Sequence, residues 1–479
     1  MKKLMLLAVF LAGFACAEPL PPAVQRVLRE ANLPESALSL AIVPLSGSAP
    51  RYHEADVPAN PASLMKLVTT YSALELLGPA YRWTTELRAN VRPIEGVLNG
   101  DLYLKGYGDP KLTIERVWLL LRELRESGVR EVRGDLVLDR SYFTLLSNRD
   151  RFDDDGDHPE RPYLVRPDAL MSNFKSLRLS ARAESGAVLL RLDPPLPEVA
   201  LENRAKVGPA GDCASWPANL GLKVEDSGSR ARVVTEGSIP AGCSGERHLA
   251  ALDHFTYTAS LFQVLWRELG GTLNGNVREG VSPADSVVLA QSLSPELPLV
   301  LRDINKYSNN PMARQLYLTL GATFGLPEDG SDTSSRATAV VRRWLVEKNW
   351  NWPELVLENG SGLSRVERIS ARHLADLLVD AARGPWAAEF VASLPIVAVD
   401  GTMKKRLSGD ALAGEAHIKT GSLKDVRGLA GYVRDADGRM LAVVALLNHP
   451  RAENGAKVLD QVLRVAGNRA ALAVAGVAR

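Results

Sequence analysis

The chain has 479 residues, of which 46% are hydrophobic, 24% charged and 6% aromatic. This is the composition of a globular protein with more than one domain, and it excludes a disordered or fibrous chain. The 57 basic and 56 acidic residues give a net charge of +1. That balance excludes the strongly basic surface that binds nucleic acid, so no nucleic-acid partner is predicted.

The N-terminal segment has the parts of a secretory signal peptide. A basic start precedes an apolar run at residues 4–14, and the small residues of a signal peptidase site follow at residues 15–17. The run is too short to span a bilayer. We therefore expect residues 1–17 to be removed and the mature protein to be exported to the periplasm. Cys16 leaves a lipoprotein open as the alternative.

Two cysteines, Cys213 and Cys243, follow the predicted signal peptide. Because export leads to an oxidising compartment, we expect them to pair, and a disulfide closing a loop of this length contributes about 3 kcal/mol. A catalytic thiol is the alternative, but neither cysteine has a neighbouring histidine.

The predicted elements alternate between helix-rich and strand-rich stretches. A strand at 38–43 and a helix that starts at Asn60-Pro61 and stops at Gly78 open the mature chain. Short strands and turns then run to about residue 250, with one amphipathic helix at 117–127. Helical periodicity returns at 257–270, 311–321, 336–348 and 371–383, before a hairpin at 429–434 and 439–447 and a last helix near Arg451.

These elements predict a mixed α/β domain that is interrupted by an insertion. We expect residues 18–86 and 251–479 to form that domain, and residues 87–250 to form a β-rich inserted region of two subdomains.

Several familiar catalytic signatures are absent, among them Gly-x-Ser-x-Gly, His-Glu-x-x-His and the glycine-rich phosphate loops. The seven histidines are scattered, and His254, His373 and His417 are interpreted as ordinary partly buried or surface residues. No metal site and no cofactor are therefore predicted.

Ser63-Leu64-Met65-Lys66 is a candidate nucleophile and base. A spacing of three on a helix puts the hydroxyl and the amine on one face. A serine in the first helical turn also lies where free N–H groups stabilise developing negative charge. The lysine must lose its proton near neutrality, which requires burial or a second cation nearby. On its own the motif is weak, since an exposed pair on a helix has the same pattern.

Two further motifs strengthen that interpretation. Lys419-Thr420-Gly421-Ser422 lies in a predicted strand just before the terminal hairpin, and its lysine and hydroxyls suit a carboxylate ligand. Ser308-Asn309-Asn310 precedes a helix started by proline, where serine and asparagine are also common helix caps.

The three motifs, in this order, resemble those of the penicillin-recognising serine acyltransferases. The long interval between Ser63 and Ser308 is similar to that of the penicillin-binding protein 4 family of D-alanyl-D-alanine carboxypeptidases/endopeptidases (low-molecular-mass class C), and unlike that of simple β-lactamases. Other stretches agree with this family: Gly106-Tyr107-Gly108-Asp109-Pro110, Gly134-Asp135, Tyr142-Phe143, Asn359-Gly360-Ser361-Gly362-Leu363-Ser364-Arg365, Asp400-Gly401-Thr402 and Leu429-Ala430-Gly431-Tyr432.

The resemblance implies a fold and a set of catalytic roles. The fold is the α/β (α+β) serine β-lactamase/DD-peptidase fold, an antiparallel sheet flanked by helices, with a large β-rich insertion. Ser63 is expected to attack the carbonyl of the penultimate D-Ala, and Lys66 to accept its proton. Ser308, helped by Lys419, would relay a proton to the leaving D-Ala, and Asn310 would hydrogen-bond the peptide stem.

The resemblance also implies substrate-binding residues. Thr420 and Ser422, on either side of Gly421, would hold the terminal carboxylate, and the backbone N–H groups of Ser63 and Ser422 would form the oxyanion hole. Arg365 is expected on the substrate side, with a surface ion pair as its alternative. An acidic residue from the insertion is expected within residues 153–157, and Lys424, which stands where some relatives have an uncharged polar residue, leaves substrate preference open.

The implied function is that of a periplasmic DD-peptidase. It would trim D-Ala from peptidoglycan stem peptides, cut D-Ala–diaminopimelate cross-links and be inhibited covalently by β-lactam antibiotics, and peripheral membrane or wall association and a homodimer are compatible with it. Two alternatives stay open: a β-lactamase or esterase on the same scaffold, which the missing Glu-x-x-x-Asn after Ser308 disfavours, and a non-catalytic wall-binding scaffold, which the intact motif residues disfavour.

Overall fold

The computed structural model describes residues 19–47, 49–146, 160–184 and 186–467. The predicted signal peptide and the acidic segment 153–157 lie outside these residues. The helices are α1 Pro22–Glu30, α2 Met65–Leu77, α3 Ile114–Glu126, α4 Trp216–Asn219, α5 His254–Glu268, α6 Leu297–Tyr307, α7 Asn310–Phe324, α8 Thr333–Glu347, α9 Ala371–Arg383, α10 Ala387–Ser393 and α11 Ala456–Gly467.

The strands are β1 Leu38–Pro44, β2 Arg51–His53, β3 Thr84–Ala89, β4 Val97–Leu98, β5 Leu102–Gly106, β6 Glu131–Val132, β7 Leu136–Asp139, β8 Ser176–Glu184, β9 Ala187–Asp193, β10 Val199–Asn203, β11 Lys206–Gly208, β12 Leu220–Asp226, β13 Ala231–Pro240, β14 Ser244–Ala250, β15 Thr272–Leu273, β16 Val277–Glu279, β17 Val287–Leu293, β18 Ala416–Leu423, β19 Val426–Arg434 and β20 Met440–Asn448. The strands form two groups: β1, β2 and β18–β20 come from the two ends of the chain, and β3–β17 come from its middle.

The first lobe, residues 19–83 and 294–467, is built on a five-stranded antiparallel sheet in the order β18-β19-β20-β1-β2. Alternate residues of a strand face opposite sides. On β20, Val443 and Ala445 therefore pack with α1 and α11, whereas Val444 and Leu446 pack with α2 and α6–α10. Both faces of the sheet are covered by helices, and the predicted fold class is confirmed.

The second lobe, residues 84–293, has several small sheets around one apolar cluster. The largest sheet has the order β16-β7-β5-β3-β17, and α3 and α5 supply leucines and aromatic residues to the same cluster. The sequence pattern predicts the helix at 257–270 as part of the interrupted domain, but in the structure it packs in the second lobe. Because β17 pairs with β3 as well, we propose that the inserted region extends from about residue 84 to residue 293, beyond the expected 87–250.

The predicted disulfide is confirmed: Cys213, before α4, is bonded to Cys243, between β13 and β14, across 30 positions. Cys243 is fully buried in the apolar cluster of the second lobe. Closing a loop of this length restricts the unfolded chain. Within the described residues, no helix is both long enough and apolar enough to cross a membrane.

Replacing both cysteines with serine should lower the free energy of unfolding of the second lobe by about 3 kcal/mol. Thermal unfolding of the wild type with and without a thiol reductant measures the same loss, and the reductant should leave the double variant unchanged. Equal stability of the oxidised wild type and the double variant would contradict this prediction.

Candidate active site

Ser63 lies on a 3-10 turn, Ala62–Leu64, immediately before α2, rather than within the regular helix. The side chain of Asn60 fixes this turn, since its Oδ1 accepts from the Ala62 N–H at 2.8 Å and its Nδ2 donates to the Ser364 carbonyl at 2.9 Å. Ala62 has a φ of +47°, a left-handed conformation that is strained for alanine and is typical of functional sites. The turn presents Ser63 half-buried at the start of the helix.

Two glycines allow other segments to approach this turn. A Cβ on Gly362, which has a φ of +79°, would overlap the Ala62 carbonyl and lie 2.7 Å from the Ser63 nitrogen. A Cβ on Gly421 would lie 2.7 Å from the Pro61 oxygen and 3.2 Å from the Ser63 nitrogen. The loop after α8 and the edge strand β18 therefore meet the backbone of Ser63 directly, at positions where only glycine fits.

Lys66 is completely buried in the first turn of α2, and its amine has three oxygen partners. Nζ lies 3.0 Å from the Ser63 Oγ, 2.6 Å from the Asn310 Oδ1 and 2.5 Å from the Ser361 carbonyl oxygen. A neutral amine has two N–H donors and one lone pair. When the two donors bond the carbonyl-type oxygens of Asn310 and Ser361, the lone pair is left to accept the Ser63 hydroxyl proton. The ammonium formed in that step donates to all three oxygens.

Ser308 and Asn310 belong to the junction between α6 and α7. Ser308 ends α6 in the left-handed region with a φ of +55°, and Asn309 begins α7 by accepting from the Met312 N–H at 3.0 Å. This sharp junction turns the Asn310 side chain toward Lys66 and the Ser308 hydroxyl toward Lys419, whose Nζ donates to it at 2.9 Å. The three sequence motifs therefore meet at one site.

Burial controls the charge of both lysines. Desolvation is the main cause that lowers the pKa of Lys66 well below its usual range, and repulsion from Lys419 and Arg314 lowers it further, while Glu367 opposes the shift. Desolvation also lowers the pKa of Lys419 to about 7. Burial thus favours the neutral form of Lys66, the form that a general base needs, and at neutral pH Lys419 is poised between its charged and neutral forms.

The exposed end of the site is formed by β18. Lys419 and Gly421 are buried, whereas Thr420 is partly exposed and Ser422 exposed, so the two hydroxyls share the open face of the strand. Thr420 Oγ1 donates to Thr402 Oγ1 at 2.8 Å. Thr402 therefore adds a third hydroxyl beside the two that the sequence analysis named.

Arg365 lies further out, on the loop that follows Gly362. Its Nη1 is 4.0 Å from the Asp425 Oδ2, in the turn between β18 and β19. Lys424, in the same turn, is exposed. Arg365 therefore makes the surface ion pair that was the alternative to a substrate-side position. The substrate-side role of Arg365 stays a prediction.

The second lobe reaches the site through a short segment after residue 160. The Tyr163 carbonyl accepts from the Asn310 Nδ2 at 3.3 Å, and Gln315 on α7 exchanges two hydrogen bonds of 2.9 and 2.8 Å with the backbone of Asp168. In the described part of the chain, no group of three or more His, Cys, Asp or Glu residues is placed to hold a metal ion.

Comparison with known proteins decides the family. The sequence pattern of the D-Ala-D-Ala carboxypeptidase 3 (S13) family matches residues 20–467. The chain belongs to this family. The predicted enzyme class, a serine-type D-Ala-D-Ala carboxypeptidase, is thereby confirmed, and so is the predicted resemblance.

Individual S13 relatives cover most of the chain. A D-alanyl-D-alanine carboxypeptidase of Actinomadura sp. (strain R39) is 33% identical over 399 residues, which are 79% of this chain and 72% of the relative. DacB of Haemophilus influenzae is 26% identical over 404 residues, 81% of this chain and 80% of that protein.

Solved structures show the same fold. The crystal structure of penicillin-binding protein 4 (dacB) from H. influenzae matches with a TM-score of 0.76 at 23% identity, covering 93% of this chain and 98% of that one. Bd3459, a predatory peptidoglycan endopeptidase from Bdellovibrio bacteriovorus, matches with a TM-score of 0.51 at 16% identity, covering 91% of each chain.

Four residues that contribute to this S13 site could not be identified from the sequence. Ser361 and Thr402 lie in stretches used for the resemblance, Asn359 to Arg365 and Asp400-Gly401-Thr402, but nothing marked them as contacts of Lys66 and Thr420. Tyr163 had no sequence signal because its contact with the site is made by its backbone carbonyl. Glu367 had none because its burial could not be predicted from the sequence.

Proposed function

We propose that this S13 protein is a periplasmic DD-carboxypeptidase that acts through an acyl-enzyme on Ser63 and is inhibited by covalent reaction with β-lactams. The observation that carries the proposal is the Lys66 amine, which is fully buried and lies 3.0 Å from the Ser63 Oγ between two oxygen acceptors. The relatives named D-alanyl-D-alanine carboxypeptidase support the substrate. The H. influenzae protein of the same fold has also been crystallised with a β-lactam.

Acylation begins when Ser63 Oγ attacks the carbonyl carbon of the penultimate D-Ala while Lys66 takes the hydroxyl proton. The negative charge on the carbonyl oxygen is stabilised by the N–H groups of Ser63 and Ser422, at about 3–4 kcal/mol for each donor. The C–N bond then breaks, and Ser308, bonded to Lys419, passes a proton to the departing D-Ala nitrogen. Water hydrolyses the remaining ester and regenerates the Ser63 hydroxyl.

Substrate binding uses the open face of β18. The substrate carboxylate lies against the hydroxyls of Thr420 and Ser422, near the Lys419 amine, and Asn310 hydrogen-bonds the peptide stem. Cleavage of D-Ala–diaminopimelate cross-links needs the same chemistry with a larger leaving amine. The exposure of Ser422 supports this endopeptidase activity, because it leaves that end of the site open.

Labelling with a fluorescent penicillin tests the proposal. The wild type should form a slowly released adduct and release D-Ala from a peptide ending in D-Ala-D-Ala, and Ser63→Ala should lose both by about 10³-fold or more. Ser72→Ala is the matched control, because Ser72 is a buried serine of α2 whose hydroxyl donates to the Thr69 carbonyl at 3.2 Å. It should retain both activities.

The other outcomes identify the alternatives. Rapid turnover of the penicillin without D-Ala release would point to a β-lactamase. A wild type that neither labels nor releases D-Ala would overturn the proposal in favour of a non-catalytic scaffold. Release of monomers from a cross-linked muropeptide dimer measures the endopeptidase activity separately.

A further inference from the structure

Glu367 is a fully buried acid beneath the loop that supports Lys66. One carboxylate oxygen, Oε1, accepts from three consecutive backbone N–H groups, those of Glu358, Asn359 and Gly360, at 3.1, 3.0 and 3.0 Å. A single acceptor with three backbone donors fixes the path of this segment, because the N–H groups of the buried Asn359 and Gly360 would otherwise lose this partner inside the protein.

The segment ordered by Glu367 is joined to α2 at two points. The Ser361 carbonyl accepts from the Lys66 Nζ at 2.5 Å, and the Gly360 carbonyl accepts from the Thr69 hydroxyl at 2.6 Å. Asn359 completes the turn, since its Oδ1 accepts from the Ser361 N–H at 2.9 Å. The position of the Ser361 oxygen therefore depends on the bonds that Glu367 makes to the three residues before it.

The second carboxylate oxygen of Glu367 faces the protein interior. Oε2 is buried and has no hydrogen-bond partner among the described residues, a rare state for a buried acid. Burial raises the pKa of Glu367, and the charge of Glu358 acts in the same direction, against the three N–H groups. The charged groups that act on Lys66 are Lys419 and Arg314, which lower its pKa, and Glu367, which raises it. Among the charged groups that act on the Lys66 amine, Glu367 is thus the one that favours its protonated form.

We propose that Glu367 is a positioning residue for acylation. Its carboxylate orders the backbone from Glu358 to Ser361, so that the Ser361 carbonyl holds the Lys66 amine with its lone pair toward Ser63, and its negative charge acts on that amine. This inference rests on the proposed function, since it assigns Glu367 to the acylation of Ser63.

Two substitutions separate the hydrogen bonds from the charge. Glu367→Gln keeps an oxygen acceptor for the three N–H groups and removes the charge, whereas Glu367→Ala removes both. The measurement is the rate constant of acylation by fluorescent penicillin between pH 5 and 9, normalised to the enzyme that can be labelled, so that misfolded protein does not contribute.

We expect Glu367→Ala to acylate about tenfold more slowly or worse, because small displacements of a catalytic group have large effects on rate. Glu367→Gln should stay within about threefold of the wild type at its optimal pH. Acylation needs neutral Lys66, so the rate rises with pH through the pKa of that amine. Removing the negative charge lowers this pKa, and the acidic limb of the Glu367→Gln profile should move to lower pH by about one unit.

Glu354→Ala is the matched control. Glu354 is a partly buried acid that likewise accepts a backbone N–H, that of Ser370, but it contacts His373 instead of the Lys66 loop. It should leave the rate and the pH profile unchanged. Wild-type rates in Glu367→Ala, or equal losses in the glutamine and alanine variants, would overturn the positioning role, and an unmoved acidic limb would overturn the role of the charge. A wild type that is not acylated at all would instead reject the proposed function.

Discussion

Replacing Lys66 with alanine is expected to slow the acylation of Ser63 by penicillin by a factor of about 10²–10⁴. The physical reason is the loss of the group that takes the hydroxyl proton. Without it, Ser63 Oγ loses the amine that contacts it at 3.0 Å, and the Asn310 and Ser361 oxygens lose their donor. Stopped-flow or gel-based labelling at several penicillin concentrations measures the second-order rate constant directly.

Lys175→Ala provides a control for the loss of a partly buried lysine. Burial lowers the pKa of Lys175 as well, and its amine donates to the Leu252 carbonyl at 2.5 Å, away from Ser63. Its acylation rate should equal that of the wild type. If Lys66→Ala were acylated as fast as Lys175→Ala, Lys66 would not be the base, and the proton would have to pass to another group.

The sequence was sufficient to predict the elements that carry the catalytic motifs. The helix after Asn60-Pro61, the strand around Lys419 and the proline-started helix after Ser308 depend on local rules of capping and alternation, which act within a few residues. The regular helix begins at Met65, after the 3-10 turn, and not at Pro61 as predicted. The convergence of the three motifs could be predicted only through the family resemblance, because the contacts Lys66–Asn310 and Lys419–Ser308 join segments far apart in the chain.

Other features depend on tertiary packing and had no local signal. The periodicity of α5 predicts an apolar face on this helix. It does not indicate which hydrophobic core that face packs against, and in the structure this is the core of the second lobe. The 3-10 turn at Ser63 depends on Asn60 and on the approach of Gly362. Glu367 follows the loop that it orders, and an acid in a loop is usually exposed, so its burial could not be predicted.

Replacing Lys419 with methionine is expected to stabilise the first lobe by about 3 kcal/mol at pH 6 while abolishing acylation. The amine is completely buried, and its pKa is lowered from 10.5 to about 7. Below pH 7 the amine is charged in both the folded and the unfolded state, so the folded protein bears the full cost of burying a charge. Methionine has a similar length and no charge, although the bonds to Ser308 and Thr420 are lost.

The pH dependence distinguishes this effect from better packing. Between pH 7 and 10.5 the folded state has a neutral amine while the unfolded state is still protonated, so the cost shrinks as the pH rises and is absent above 10.5. Denaturant unfolding at pH 6 and 10 should therefore show a large advantage of Lys419→Met at pH 6 and little at pH 10. Lys424→Met, at an exposed lysine in the turn after the same strand, should show none at either pH. An equal gain at both pH values would mean that the buried charge is not its cause. A loss of stability at pH 6 would mean that the bonds to Ser308 and Thr420 outweigh the desolvation of the amine.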